Sequence, residues 1–213
     1  MMRGRFITFE GPEGSGKTTQ AARLVERLRA CGVEVVCTRE PGGTPMGEAI
    51  RNMLQHDAAG EPPCAQAEVL LFEASRAQLV QTVILPALER GAWVVCDRFA
   101  DSTTAYQGYG RGFSVKTIQA INAFAIDGAM PDLTLLLDID AEAGMRRMRA
   151  RNAADQRGQD RIEREAIEFH RKVRAGYLEL ACRWPARFRV IDSSGEQDAV
   201  HALIWNIVEP LRT

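Results

Sequence analysis

The stretch GPEGSGKT, residues 11–18, decides the fold, and it directly follows the apolar run FITFE at 6–10. Its spacing matches G-x-x-x-x-G-K-[ST], in which glycines let backbone N–H groups close around a phosphate at the start of a helix. The motif predicts a strand, a phosphate-binding loop and a helix that begins at Lys17. One residue is unexpected, because Glu13 places a carboxylate in a loop that attracts anions.

The loop predicts a site for the phosphates of a nucleoside triphosphate. We expect Lys17 to reach the β- and γ-phosphates and Thr18 to hold Mg²⁺. A turn that only joins a strand to a helix would explain the glycines, but not Lys17 and Thr18 together. The residues predicted to bind the nucleotide are Gly11, Pro12, Glu13, Gly14, Ser15, Gly16, Lys17 and Thr18.

Apolar runs of strand length alternate with longer segments of helical periodicity. The expected strands are 5–10, 33–38, 92–97, 133–139 and 188–192. The expected helices are 17–30, 45–54, 65–89, 114–126, 141–151, 161–182 and 197–208. Short, nearly continuous apolar strands separated by helices indicate a parallel sheet covered on both faces. We expect an α/β fold of three layers, α/β/α, with a five-stranded parallel sheet.

Length, charge and composition narrow the class of protein. The 213 residues suit one α/β domain, and we expect a single domain over 1–213. The formal net charge of −1 argues against a surface built throughout for nucleic acid. No run approaches the ~18 apolar residues of a membrane span, the start MMRGRF has no signal-peptide core, and the five cysteines are scattered. We therefore expect a cytoplasmic protein with no membrane partner.

Two further segments carry candidate ligand-binding residues. WVVCDR at 93–98 places Asp97 and Arg98 at the carboxyl end of a strand, where ligands bind in such sheets. We expect Asp97 near Mg²⁺ and Arg98 near phosphate, with a surface ion pair as the alternative. In LLFEASRAQ, Phe72 and Arg76 share one helix face and suit a base, although the residues alone favour a core Phe beside a solvated Arg.

Polar segments suggest loops around the ligands. TREPGGT at 38–44 and DSTTAYQGYGRG at 101–112 are rich in glycine or hydroxyl groups, and we expect both to be binding loops. Between 146 and 161, six arginines stand against two aspartates. A solvated helix end is the simple interpretation. The cluster and its polar loop at 151–160 also predict a mobile lid, at about 146–161, that closes over a triphosphate.

Six motifs, in order, resemble those of bacterial thymidylate kinases. They are FEGPEGSGKTTQ, TREPGGT, AEVLLFEASRAQLV, CDRFADSTTAYQGYGRG, PDLTLLLD and DRIE. The resemblance runs from residue 5 to at least 180. It implies a P-loop kinase fold with a helical lid, transfer of the γ-phosphoryl of ATP to dTMP with Mg²⁺, and a homodimer.

The resemblance also implies an acceptor site. Phe72 would stack on thymine, Arg76 would hydrogen-bond its edge, and Thr103 and Gln107 would lie near the base. Tyr106 would lie beneath the sugar, where a ribose 2′-hydroxyl would collide with it. The residues implied around dTMP are Arg39, Pro41, Arg51, Phe72, Arg76, Arg98, Thr103, Tyr106 and Gln107.

The resemblance suggests a reason for Glu13. In one branch of the family the phosphate loop lacks an arginine and the lid supplies it, which is the pattern here. Glu13 would then lie at the mouth of the loop, near the acceptor sugar or the Mg²⁺ shell. Arg149 and Arg151 would close over the transferring phosphoryl, with Arg157 as a further candidate. The implied catalytic residues are Glu13, Lys17, Arg98, Arg149 and Arg151.

Three alternatives share the phosphate loop. Another nucleoside monophosphate kinase or a deoxynucleoside kinase would differ in its acceptor. A GTP-binding switch protein calls for an [NT]-K-x-D guanine signature, which the sequence lacks. A P-loop regulatory ATPase would turn over ATP whether or not dTMP is present.

Overall fold

The strands form a parallel sheet in the computed structural model, which describes residues 3–56, 60–156 and 158–212. They are β1 (Phe6–Glu10), β2 (Val35–Arg39), β3 (Trp93–Asp97), β4 (Leu133–Asp138) and β5 (Phe188–Asp192). Their order is β2-β3-β1-β4-β5, and every neighbouring pair is parallel. The predicted five-stranded parallel sheet is confirmed.

Helices cover both faces of the sheet. The helices are α1 (Lys17–Ala30), α2 (Pro45–Gln55), α3 (Ala65–Leu79), α4 (Leu85–Glu89), α5 (Ala100–Thr103), α6 (Val115–Ile126), α7 (Ala141–Ala154), α8 (Ile167–Arg183) and α9 (Gln197–Val208). π-helical turns follow α3 at Val80–Ile84 and α5 at Thr104–Gly110, and a 3₁₀ turn follows α9 at Glu209–Arg212.

Successive side chains of each strand point alternately to the two faces of the sheet. Ile7 and Phe9 of β1 are buried against α1 and α9, in one core that contains Trp205. Phe6 of β1 points to the other face, where it packs with Leu79 near α3 and α4. Since successive strand residues point to opposite faces, a strand buried on both sides must be apolar throughout. The predicted three-layer α/β/α architecture is confirmed.

The expectation of a binding loop at 101–112 is wrong, because this segment is largely helical. Gly110 of this segment and Gly176 of α8 let the two helical segments pack closely. A Cβ at Gly110 would lie 2.7 Å from the Phe169 ring, and a Cβ at Gly176 would lie 2.7 Å from the Tyr109 ring. Glycine, which suggested a loop in the sequence, here permits two helical segments to approach closely.

Two helix boundaries also differ from the expectation. α7 continues to Ala154, beyond the expected end at residue 151, and α8 begins at Ile167, not at residue 161. The carboxylate of Asp160 explains the second difference, because its Oδ1 accepts from the backbone N–H groups of Ile162 and Glu163. This side-chain capping closes a separate turn before α8 can start.

The carboxyl ends of the central strands lie at one edge of the sheet. In the parallel register, Phe9 of β1 pairs with Asp97 of β3, so the phosphate loop after β1 lies beside the end of β3. This edge is where open α/β sheets bind ligands. Among the residues that the structure describes, no helix is long and apolar enough to span a membrane.

Candidate active site

A cavity of about 590 Å³ opens at this edge of the sheet. It is bounded by the phosphate loop, the ends of β2 and β3, and residues of α2, α3 and α7. The predicted site residues that line it are Glu13, Gly14, Gly16, Lys17, Thr18, Arg39, Pro41, Arg51, Phe72, Arg76, Asp97, Arg98, Thr103, Tyr106, Gln107 and Arg151. One continuous cleft thus joins the predicted nucleotide and acceptor residues.

Three predicted nucleotide-site residues do not line the cavity but contact Lys17 within the phosphate loop: Gly11, Pro12 and Ser15. Lys17 Nζ donates to Gly11 O at 3.1 Å, to Pro12 O at 2.8 Å and to Ser15 Oγ at 3.3 Å. These contacts fold the lysine over its own loop. The loop also requires glycine where it meets α7, since a Cβ at Gly14, which has φ +70°, would lie 2.0 Å from Gly144 O.

Lys17 has an unusual protonation equilibrium. Burial lowers its pKa, as does the charge of Arg98, and although Glu13 opposes the shift the value falls to about 8. A lysine with this pKa is partly neutral at pH 8, whereas a bound polyphosphate favours its charged form. We therefore expect nucleotide binding to be coupled to the protonation of Lys17.

We expect ATP binding at pH 8 to take up protons and ATP affinity to weaken as the pH rises through 8. Isothermal titration calorimetry in buffers of different ionisation enthalpy measures this uptake. The matched control is Lys17→Met, which cannot take up the proton. Equal proton uptake by the two proteins would rule out Lys17 as its source.

Glu13 faces the acceptor side of the cleft. Its Oε1 accepts from Arg98 Nη2 at 2.6 Å and from the Tyr106 hydroxyl at 2.9 Å. Burial acts to raise the pKa of Glu13, but Arg98, Lys17 and the Tyr106 hydroxyl outweigh it and lower the value to about 2. The ionised carboxylate thus holds Arg98 and Tyr106.

Arg98 has a backbone conformation that is rare for a residue with a side chain. Its φ is 70°, and the turn is held by a hydrogen bond from its N–H to Phe9 O at 2.9 Å. The guanidinium lies 5.0 Å from the Tyr106 ring. Left-handed conformations of residues other than glycine are costly and concentrate at functional sites.

Asp97 and Thr18 present oxygen atoms side by side. The Thr18 hydroxyl donates to Asp97 Oδ2 at 2.5 Å. Asp97 Oδ1 is buried and, among the residues described, has no hydrogen-bond partner. A buried polar atom of this kind calls for a ligand or a water molecule. A carboxylate and a hydroxyl beside a triphosphate site form an oxygen donor set that fits Mg²⁺.

Arg76 is buried in a network of polar groups, with 1% exposure. Its guanidinium donates to the carboxylates of Glu40 and Glu73, to Asn122 Oδ1 and to Thr103 Oγ1. These bonds use all five guanidinium N–H groups. Arg76 lines the cavity, but contact with a base edge requires it to release one of these partners.

Two arginines line the cavity near its β2 and α2 walls. Arg51 Nη1 donates to Pro41 O at 3.0 Å, which holds it beside the turn after β2. Arg39 pairs with Glu48 at 2.8 Å in an exposed ion pair. Both guanidinium groups lie at the end of the cleft predicted for the acceptor phosphate.

The lid arginines occupy different positions. Arg151 lines the cavity and pairs with Glu163 at 3.3 Å. Arg149 is exposed and does not line the cavity, so the two do not converge as predicted. Arg157 lies outside the described residues. The cleft is also lined by three residues of the DRIE motif for which no role was predicted, Asp160, Ile162 and Glu163.

Glu10 is a further residue of the site for which no role was predicted. This residue ends β1 and is fully buried, and its carboxylate accepts from the backbone N–H of Phe99 at 2.8 Å and from the hydroxyls of Ser102 and Tyr177. Burial, aided by Asp101, raises its pKa to about 7. A charged residue that ends an otherwise apolar strand was the available signal. Glu10 anchors the turn that carries Arg98.

Comparisons with known proteins agree on one family. A profile of the thymidylate kinase family matches residues 9–204. The chain is 54% identical to the thymidylate kinase of Pelotomaculum thermopropionicum, with 98% of this chain and 94% of that protein covered. It is 51% identical to the thymidylate kinase of Deinococcus radiodurans, with 98% of each covered.

A solved structure supports the same assignment. The thymidylate kinase from Ehrlichia chaffeensis superposes with a TM-score of 0.78 at 37% sequence identity, covering 97% of this chain and 99% of that one. The family profile covers most of the sequence, and the relatives match over nearly their whole length. The chain belongs to the thymidylate kinase family.

Proposed function

We propose that this protein transfers the γ-phosphoryl group of ATP to dTMP, giving ADP and dTDP for dTTP biosynthesis. The observation that carries the proposal is the single cleft in which Lys17 and Thr18 of the phosphate loop lie with Arg98, Tyr106 and Phe72. A regulatory ATPase has no need of an aromatic and arginine pocket beside its phosphate site. Family membership favours the same reaction.

The proposed reaction needs positioning and charge neutralisation. An oxygen of the dTMP phosphate forms a bond to Pγ while the bond from Pγ to the bridging oxygen of ADP breaks, and that oxygen keeps the electron pair. The attacking oxygen is already anionic, so no strong general base is required. Lys17 and Arg98 lie where they can stabilise the charge on the donor and acceptor phosphates.

We assign Mg²⁺ to Thr18 and Asp97, where a buried carboxylate oxygen without a partner fits an oxygen-binding cation. When bound, the ion neutralises charge on the phosphates of ATP. Glu13, which orients both Arg98 and Tyr106, is assigned to the region around the acceptor sugar. Tyr106 would discriminate there against a ribose 2′-hydroxyl.

We propose that residues 146–161 act as a lid within a single kinase domain at 1–213. Arg151 already lines the cleft, and its side chain is 55% exposed although that of its partner Glu163 is only 10% exposed. The single contact of 3.3 Å is longer than a strong charge-assisted hydrogen bond, so a phosphate can replace Glu163 as the partner of this guanidinium. Arg151 is therefore our preferred lid arginine, with Arg149 second because closure of α7 must first bring it to the cavity.

The proposed reaction is tested by its products. ³¹P nuclear magnetic resonance of a mixture of ATP, Mg²⁺, dTMP and the protein should show dTDP and ADP appearing in equal amounts, without inorganic phosphate. Omission of dTMP should stop ATP consumption. Steady release of inorganic phosphate that does not depend on dTMP would instead identify a hydrolase.

We also propose that the protein forms a homodimer through α3 and α6. These helices lie side by side, joined by the bond from Arg76 to Asn122. Their outer surfaces expose Leu70, which is 60% exposed, and Phe124, which is 86% exposed, beside the small exposed residue Ala120. Exposed apolar side chains of this size suit contact with a second copy of the same face about a twofold axis.

Phe124→Lys should convert the dimer to a monomer, because it places like charges on both sides of the twofold interface. Analytical ultracentrifugation measures the mass of each form. Lys116→Ala is the matched control. It removes a polar side chain from the same helix, and this variant should remain dimeric. A monomeric wild-type protein at micromolar concentration would contradict the proposal.

A further inference from the structure

A buried carboxylate of α3 connects its helix to two other segments of the chain, at 107–111 and at Arg161. Glu68 is fully buried, with 0% exposure. It accepts from Gln107 Nε2 at 2.9 Å, from Arg111 Nε at 2.6 Å and from Arg161 Nη2. Two of these partners are cations that compensate the buried charge. The third is a neutral amide that lines the cavity.

The charge state of Glu68 determines how that amide is oriented. Burial acts to raise the pKa of Glu68, but the hydrogen bonds from Arg111 and Gln107 outweigh it and keep the pKa below its usual value. An ionised carboxylate only accepts hydrogen bonds. The amide of Gln107 must therefore turn its NH₂ group to Glu68, and its carbonyl oxygen becomes the polar atom left for the cavity.

That orientation has a consequence for base recognition. Thymine and uracil carry an N–H donor at N3, whereas N3 of cytosine is an acceptor. A carbonyl oxygen in the pocket can bind the first and is repelled by the lone pair of the second. Since Arg76 has committed all five of its donors to protein acceptors, Gln107 is the better placed group to read this edge.

We propose that Glu68 is a positioning residue that locks the Gln107 amide with its carbonyl toward the acceptor, and so selects monophosphates whose pyrimidine has an N3–H donor. The inference rests on the proposed phosphorylation of dTMP. Glu68 touches no substrate, and it acts on specificity through Gln107. Arg111 and Arg161 keep the carboxylate ionised, and neither of these arginines lines the cavity.

The test is the ratio of kcat/KM for dTMP to kcat/KM for dCMP in Glu68→Gln. A neutral amide at position 68 can offer either an oxygen or an NH₂ group, so Gln107 becomes free to turn. In the wild-type protein, cytosine leaves the Gln107 carbonyl oxygen without a hydrogen bond, and an unpaired buried polar group costs free energy. The variant removes this penalty, so we expect the ratio to fall about tenfold or more. The lower ratio should result mainly from a higher kcat/KM for dCMP.

The matched control is Arg111→Lys, which loosens another contact of Glu68 and retains the positive charge. It should leave the ratio unchanged. An unchanged ratio in Glu68→Gln, or an equal fall in the control, would overturn the inference. Absence of dTMP phosphorylation by the wild-type protein would instead refute the proposed function itself.

A second measurement uses the wild-type chain and does not depend on the stability of the variant. The side-chain ¹H–¹⁵N signals of Gln107, identified by their loss in Gln107→Leu, should exchange slowly with solvent both before and after dTMP binds. This result follows if both states hold the NH₂ group on the buried Glu68 carboxylate. Fast exchange of these protons in either state would show that the NH₂ group is not held on Glu68 and would overturn the inference.

Discussion

Arg98→Ala is expected to lower kcat about a thousandfold with a smaller change in the KM for ATP. Arginines that stabilise a transferring phosphoryl group have effects of this size. Arg98 is also the partner that keeps Glu13 ionised, through a contact of 2.6 Å. Without it, burial should raise the pKa of Glu13, and the remaining activity should increase with pH as that carboxyl group ionises. Steady-state rates from pH 5 to 9 measure both effects.

Arg98→Lys separates charge from geometry. Lysine restores the positive charge but not the planar fork, so we expect an intermediate rate and a Glu13 that again stays ionised. Thermal unfolding of all three proteins checks that they are folded under the assay conditions. A loss of less than tenfold in Arg98→Ala would show that this guanidinium does not act on the reacting phosphates.

Arg151→Ala should also reduce kcat by about three powers of ten, because it removes the arginine that lines the cleft and that we propose acts from the lid. Its side chain is 55% exposed, so little folding stability depends on it. Single-turnover measurements with saturating ATP and dTMP isolate the chemical step. The expected loss lies in this step and not in dTMP binding.

Arg146→Ala is the matched control for the lid. Arg146 is an exposed arginine of the same helix, and it does not line the cavity. Its removal changes the charge of the lid by the same amount, and we expect a nearly unchanged rate. If Arg151→Ala turned over within a factor of two of wild type while Arg149→Ala lost activity, Arg149 would replace Arg151 as the lid arginine.

Local patterns in the sequence predict much of this fold. The motif at 11–18 correctly places β1, the loop and the start of α1 at Lys17. Apolar runs predict all five strands to within two residues at either end, since a strand buried on both faces has a continuous apolar signature. The strand ends then place Asp97 and Arg98 at the cleft, because parallel strands share one carboxyl edge.

Long-range polar contacts could not be predicted in the same way. Arg76 is held by acceptors from the turn after β2, from α5 and from α6 as well as from its own helix, and no local pattern encodes such a network. Glu10 and Glu68 belong to a residue type that is almost never fully buried unless it is paired, yet both are fully buried. Their partners become visible only when distant segments are packed together. The glycine-rich sequence around 108–110 likewise suggested a loop, although this stretch is helical.

The measurement that tests the central claim most directly compares kcat/KM for dTMP, dUMP, dCMP, dGMP, AMP and UMP in a coupled assay of ADP release with ATP and Mg²⁺. We expect rapid turnover of dTMP, slower turnover of dUMP and almost none of the ribonucleotides. A preference for another monophosphate would contradict the assignment of the acceptor pocket. ADP release that is indifferent to every acceptor would contradict the kinase reaction.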